Sequence, residues 1–178
     1  MPRLFVAIDL PPTVTAKLAR LQPQPAAGLR LVKAEQMHLT LHFIGEAEVL
    51  PIANALQAFK APAFSLEFEE LGQFRSGSGT VTLWAGVKMN DELLGLHAGI
   101  AAALANAGLR LAVRRYKPHI SLARCKPAAA ARAVPAFLAQ QPAISLPRVP
   151  VTGFGLYSSM LSDEGAVYRR EQWFPLQR

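Results

Sequence analysis

The chain has 178 residues, 51% of them hydrophobic and 17% charged, with a single cysteine. That length suits one domain, or two small lobes sharing a core, and the composition excludes wholesale disorder. One cysteine excludes an internal disulfide and a multi-thiolate zinc site. No apolar run reaches the roughly 18–20 residues of a membrane span: Leu93 to Val113 is broken by His97, Asn106 and Arg110. The opening Met-Pro-Arg-Leu-Phe-Val-Ala-Ile meets Asp9 too soon for a secretory leader. A reduced, cytoplasmic, globular protein is expected.

Arg3–Asp9 reads as the first strand. Pro11 and Pro12 open a short helix with Val14, Leu18 and Leu21 on one face. A Pro/Gly-containing loop follows, then a short strand at Leu29–Val32. Met37–Ile44 alternates: Leu39, Leu41 and Phe43 point one way, and His38, Thr40 and His42 the other. That pattern is a half-buried strand whose polar face looks into something other than core. Val49, Ile52, Leu56 and Phe59 are spaced as a helix requires. Phe64–Leu71 and Thr80–Lys88 are expected strands around a Gly/Ser turn at Ser76–Gly79. Asp91 opens a helix with Leu93, Leu96, Ile100 and Leu104 inward, and Gly108 suits its end. Leu109–Val113 and His119–Arg124 read as strands. An Ala-rich helix over 128–140 contains Pro135, which leaves its start open. Val149–Tyr157 and Val167–Phe174 are expected to close the fold.

The net charge of +7 is unevenly spread. Residues 1–92 hold eight Lys/Arg against nine Asp/Glu, whereas residues 93–162 hold eight basic residues and no acidic one. Within that stretch Arg110, Arg114, Arg115, Lys117, Arg124 and Lys126 fall inside 17 residues. Such a cluster either keeps a face solvated or attracts polyanions, phosphates above all.

The cluster brackets a histidine motif that occurs twice. His38-Leu-Thr40-Leu and His119-Ile-Ser121-Leu each place a hydroxyl two residues after a histidine, 81 residues apart. On a strand, those two side chains share a face about 6.6 Å apart. Two such pairs on opposing strands can surround one phosphate. One neutral imidazole can take a proton from attacking water while the other, as imidazolium, protonates the leaving oxygen. Hydroxyls and a guanidinium can stabilise charge on the non-bridging oxygens. The repeat suggests an internal duplication: an α+β fold of two pseudo-symmetric lobes across a cleft, in one domain spanning residues 1–178.

The chain resembles the two-histidine (2H) phosphoesterases, specifically the LigT-like RNA 2′,3′-cyclic phosphodiesterases, also called 2′-5′ RNA ligases. The resemblance rests on Arg-Leu-Phe-Val-Ala-Ile-Asp-Leu-Pro near the start, His38-Leu-Thr40-Leu with Phe43-Ile-Gly45, and Leu83-Trp84-Ala85-Gly86-Val87. It continues through the Leu93–Gly108 helix, Lys117-Pro118-His119-Ile-Ser121-Leu-Ala-Arg124, and Tyr168 with Phe174-Pro175-Leu176. It implies antiparallel sheets with helices outside, and hydrolysis of a terminal RNA 2′,3′-cyclic phosphate to a 2′-phosphate. It also implies no metal or other cofactor, and a capacity for reversible 2′-5′ ligation. Carried over by position, His38 and His119 are the catalytic pair, while Thr40, Ser121 and Arg124 hold the phosphate. A 2′-phosphate product makes O3′ the leaving group, which by analogy makes His119 the base and His38 the acid. Leu31 and Tyr116 stand where the family often has Trp and Phe. The implied partner is RNA with cyclic-phosphate ends, no membrane is involved, and a monomer is expected.

Strict alternation places Arg124 opposite His119, so its role requires a bulge or the strand's end. It also places His42 on the cleft face, as a rim residue or a substrate contact. On a strand His38 and His42 stand about 13 Å apart, too far to share a zinc ion at roughly 2.1 Å per ligand. His97, near Leu93 and Ile100 on its helix, reads as structural. Cys125 lies between two cations yet six residues from His119, and reads as an ordinary reduced cysteine. Ser76-Gly-Ser-Gly79 lacks the lysine of a P-loop. Two other functions fit the same residues: a non-catalytic RNA-binding module, and a phosphodiesterase of small cyclic nucleotides or ADP-ribose cyclic phosphate.

Overall fold

The computed structural model describes residues 1–141, 145–163 and 165–178. The Arg3–Asp9 run forms β1, and its five central residues are all buried, as in a mid-sheet strand with both faces covered. Next come α1 (Pro12–Ala19), β2 (Leu29–Leu31), a 3-10 turn (Ala34–Gln36) and β3 (His38–Glu46). Then follow α2 (Val49–Ala58), β4 (Phe64–Leu66), β5 (Phe68–Arg75), β6 (Val81–Val87) and α3 (Asp91–Asn106). The chain ends with β7 (His119–Cys125), α4 (Pro127–Leu138), β8 (Val149–Val151), β9 (Gly153–Ser162) and β10 (Gly165–Pro175).

The fold is α+β, with antiparallel sheets and helices packed on them. One sheet has the order β10-β9-β1-β3 and the other β2-β7-β6-β5, with β4-β8 as a separate pair. Each histidine strand belongs to a different four-stranded sheet, and β3 lies against β7 where the sheets meet. The lobes are not the sequence halves. The first sheet joins β1 and β3 to the last two strands, and the second joins β2, which precedes β3 in the chain, to β5, β6 and β7.

Local chemistry explains the helices that frame the sheets. The Asn90 side chain accepts the Leu93 N–H at 2.7 Å, and Asp91 and Glu92 sit in the first turn of α3, where acidic groups suit the helix dipole. The helix ends at Gly108, whose φ of +85° favours glycine. Its inward Leu93, Leu96, Ile100 and Leu104 are fully buried, each contributing roughly 1.5–3 kcal/mol. Phe59, the residue that follows α2, packs tightly on α3, where a Cβ on Gly99 would lie 2.2 Å from its ring. α4 starts on Pro127 and keeps Pro135 inside. The hydrogen bond lost there is offset by burial of Ala130, Ala133 and Phe137.

Three expected strands differ. Phe64–Leu71 breaks at Glu67 and Val149–Tyr157 breaks at Thr152, so that β4 and β8 pair only with each other. Both breaks keep their backbone bonded: Lys88 N–H reaches Glu67 O at 2.8 Å, and Leu176 N–H reaches Thr152 O at 2.8 Å. Leu109–Val113 forms no strand. Leu109 and Leu111 reach the core, but Val113 is fully exposed, so the apolar set is too short to seat a strand.

No helix among the described residues is long and apolar enough to cross a membrane.

Candidate active site

A cleft of ≈ 550 Å³ is lined from both sheets, and it contains His38, Thr40, His119, Ser121 and Arg124. All five residues singled out in the sequence therefore meet at one place. A second hollow of ≈ 640 Å³ shares Tyr168 with the cleft but holds none of the five.

The two histidine strands repeat the same local device. His38 Nδ1 donates to the Gln36 carbonyl at 2.7 Å, and His119 Nδ1 donates to the Lys117 carbonyl at 2.7 Å. A carbonyl only accepts, so each Nδ1 carries a proton and each Nε2 is left for chemistry. The hydroxyl follows two residues later in both strands. A bulge comes next. In β3 the pairing passes from Ala7–Thr40 to Val6–His42, leaving Leu41 unpaired. In β7 it passes from Trp84–Ser121 to Leu83–Ala123, leaving Leu122 unpaired. Each bulge reverses the alternation, so the residue five after each histidine enters the cleft: Phe43 in one strand and Arg124 in the other.

The bulge supplies the turn that Arg124 requires. It also corrects the expectation for His42. That ring leaves the cleft face, donates from Nε2 to the His97 carbonyl at 2.7 Å, and stacks on His97 with centroids 4.0 Å apart. His97 packs between His42 and Tyr116; burial, with the nearby His42, lowers its pKa from 6.5 to about 4, so it stays neutral near pH 7. Cys125 is buried, and burial raises its thiol pKa, so the flanking cations do not activate it.

Aromatic rings hold both imidazoles. Phe5 stacks on His38 at 5.0 Å, Tyr168 meets it edge-on at 5.4 Å, and Tyr157 stacks behind Phe5 at 5.3 Å. Tyr157 donates to Asp9, the cross-strand neighbour of His38. On the other side Phe74 meets His119 edge-on at 4.8 Å, with Trp84 at 6.0 Å.

The electrostatics of the two rings differ. Burial lowers the His38 pKa; the Gln36 carbonyl and the Asp9 carboxylate pull it back, and the nearby His119 pushes it down. Burial also lowers the His119 pKa; the Lys117 carbonyl pulls it back, and the Lys117 ammonium pushes it down. His38 thus has a carboxylate favouring its charged form, and His119 has a cation opposing it.

Among the described residues lining the cleft there is no carboxylate, while Arg3, Arg30 and Arg124 bring three guanidinium groups. The basic run at 110–117 contributes none of these. Arg3 and Arg30 come from the near-neutral first half. They escaped the sequence reading because sheet topology, not sequence proximity, brings them in. Phe43 was missed because the alternation was continued through the bulge. The matching offset of five residues from each histidine was the signal that could have found it. Among the described residues, no three His, Cys, Asp or Glu side chains gather into a metal-holding group.

The profile of the 2′-5′ RNA ligase superfamily matches residues 10–160. The chain belongs to that superfamily. An RNA 2′,3′-cyclic phosphodiesterase of Thermus thermophilus is 33% identical over 188 residues, covering 98% of this chain and 90% of the relative. One from Escherichia coli is 32% identical over 129 residues, covering 68% and 71%. Among solved structures, Escherichia coli LigT complexed with 3′-AMP superposes with a TM-score of 0.78 at 24% identity, covering 99% of both chains. A structure from Thermus thermophilus superposes with a TM-score of 0.75 at 31% identity, covering 98% and 97%. The superfamily fold thus extends over essentially the whole chain.

Proposed function

We propose that this member of the 2′-5′ RNA ligase superfamily hydrolyses the 2′,3′-cyclic phosphate at RNA ends to a 2′-phosphate, by acid–base catalysis between His38 and His119. The observation that carries the reading is the convergence of two His–hydroxyl pairs on one cleft, each imidazole offering Nε2. The curated relatives' names support the substrate class.

In this mechanism neutral His119 takes a proton from water at Nε2 as the water oxygen attacks phosphorus. The P–O3′ bond breaks, and His38 delivers its Nε2 proton to O3′. The products are a 2′-phosphomonoester and a free 3′-hydroxyl, and solvent exchange resets the two rings. The assignment follows the asymmetry of charge: Asp9 favours a protonated His38, and Lys117 favours a neutral His119. Thr40 and Ser121 donate to the non-bridging oxygens, and Arg124 balances the phosphate's charge. Phe43 is 76% exposed at the cleft and offers a ring face to the terminal base. A 5′-hydroxyl in place of water would give the 2′-5′ linkage. Every residue the reading uses comes from one chain.

Product analysis with an oligonucleotide ending in 2′,3′-cyclic phosphate, run in EDTA, tests this function. The expected product is the 2′-phosphate at an undiminished rate, with a bell-shaped pH profile of kcat/KM. Both histidine pKa values lie below the ordinary 6.5, so the optimum falls on the acid side of that value. A 3′-phosphate product, or activity lost to chelation and restored by a divalent metal, contradicts the mechanism. The same oligonucleotide compared with a cyclic mononucleotide separates an RNA-end enzyme from one acting on small nucleotides.

A further inference from the structure

Residues 109–118 link α3 to β7 without regular secondary structure, and they deliver His119 to the cleft. His119 itself pairs with Gly86, and the Val87 N–H donates to the Pro118 carbonyl at 3.0 Å, so this end of the segment is tied to β6, and neither contact reaches the strand of His38. Tyr116 packs on the core two residues before the buried Pro118. Its hydroxyl donates to the Thr40 carbonyl at 3.1 Å. Thr40 lies two residues after His38, and Tyr116 lies three before His119. This one hydrogen bond therefore ties the approach to the second histidine onto the strand of the first.

The Tyr116 ring is also backed. It stacks on His97 of α3 with centroids 3.9 Å apart and planes 16° apart. His97 in turn stacks on His42 of β3, and His42 donates to the His97 carbonyl. Strand, helix and linking segment thus form a closed set of contacts that begins and ends on β3. The next residue, Lys117, supplies the carbonyl that orients His119 through Nδ1. Tyr116 is thus one residue from the carbonyl that orients the His119 ring.

We infer that Tyr116 is a positioning residue: its hydroxyl bond to the Thr40 carbonyl fixes His119 relative to His38. The inference rests on the reading of those two histidines as the acting pair. It differs from a packing role, which the ring alone would fill.

The test is Tyr116→Phe, which keeps the ring and its stack and removes one atom. On an oligonucleotide ending in 2′,3′-cyclic phosphate, kcat is expected to fall about tenfold with KM within about twofold, the signature of misplaced catalytic groups. In the substrate-free protein, the NMR titration of the His119 imidazole is expected to move relative to wild type. An unchanged kcat with an unchanged His119 titration overturns the inference, whatever happens to the melting temperature. So does a raised KM with unchanged kcat, which would make Tyr116 a substrate contact. If the wild-type protein opens no cyclic phosphate, the phosphodiesterase reading fails by itself. The His119 titration then decides the positioning role alone.

Discussion

Alanine in place of His119 or His38 lowers kcat on a cyclic-phosphate-ended RNA by about 10³-fold, within the range expected for loss of one general acid or base. Binding changes far less, because the guanidinium groups that attract the phosphates remain. The two losses are not additive. Once one ring is gone the concerted transfer is already lost, so the double variant is expected to sit close to either single variant. Removing His38 leaves Phe5 and Tyr168 without the ring they pack against, so folding is checked by melting temperature alongside rate. Single-turnover kinetics and RNA affinity, measured on the same variants, separate the alternatives. A non-catalytic RNA-binding module shows no wild-type turnover to lose. An enzyme that keeps its rate without either ring does not use them.

Arg124→Ala is expected to reduce kcat/KM by about 10²-fold, comparable to removing one preorganised charge-stabilising donor. The reason is structural. On a regular strand Arg124 would face away from His119, and the bulge at Leu122 brings it round to the cleft. No carboxylate among the described lining residues competes for it. Arg124→Lys retains the charge but loses the planar fork, and is expected to recover only part of the rate. The pair of variants is informative together. Equal activity of wild type and both variants would remove Arg124 from the site. Equal damage from Lys and Ala would show that geometry, not charge alone, is what the cleft uses.

Much of this site was legible in the sequence because strand periodicity is short-ranged. Leu39 and Leu41 are buried while His38 and Thr40 face the cleft, as alternation requires. The helical spacing of Leu93, Leu96, Ile100 and Leu104 marks the buried face of α3. Alternation fails where a strand carries an extra residue. Leu41 and Leu122 look like any other buried leucine, yet each shifts the phase of everything after it. Simple alternation therefore places His42 on the cleft and Phe43 off it, the reverse of the structure, and Arg124 needs a bulge that no single residue announces. The second kind of failure is topological. Arg3, Arg30 and Tyr168 reach the cleft from three different strands, and Phe5 stacks on His38 from β1. The breaks at Glu67 and Thr152 belong to the same class, since only the pairing of β4 with β8 requires them.

The central claim is that the Nε2 atoms of His38 and His119 address the same phosphorus. A crystal structure with vanadate, which adopts the five-coordinate geometry of the displacement, tests it most directly. The expected result is vanadate in the cleft with oxygens within about 2.6–3.2 Å of both Nε2 atoms, and with Thr40 and Ser121 hydroxyls on its remaining oxygens. Vanadate held against only one imidazole, or lodged elsewhere on the basic surface with the two rings unengaged, would contradict the account.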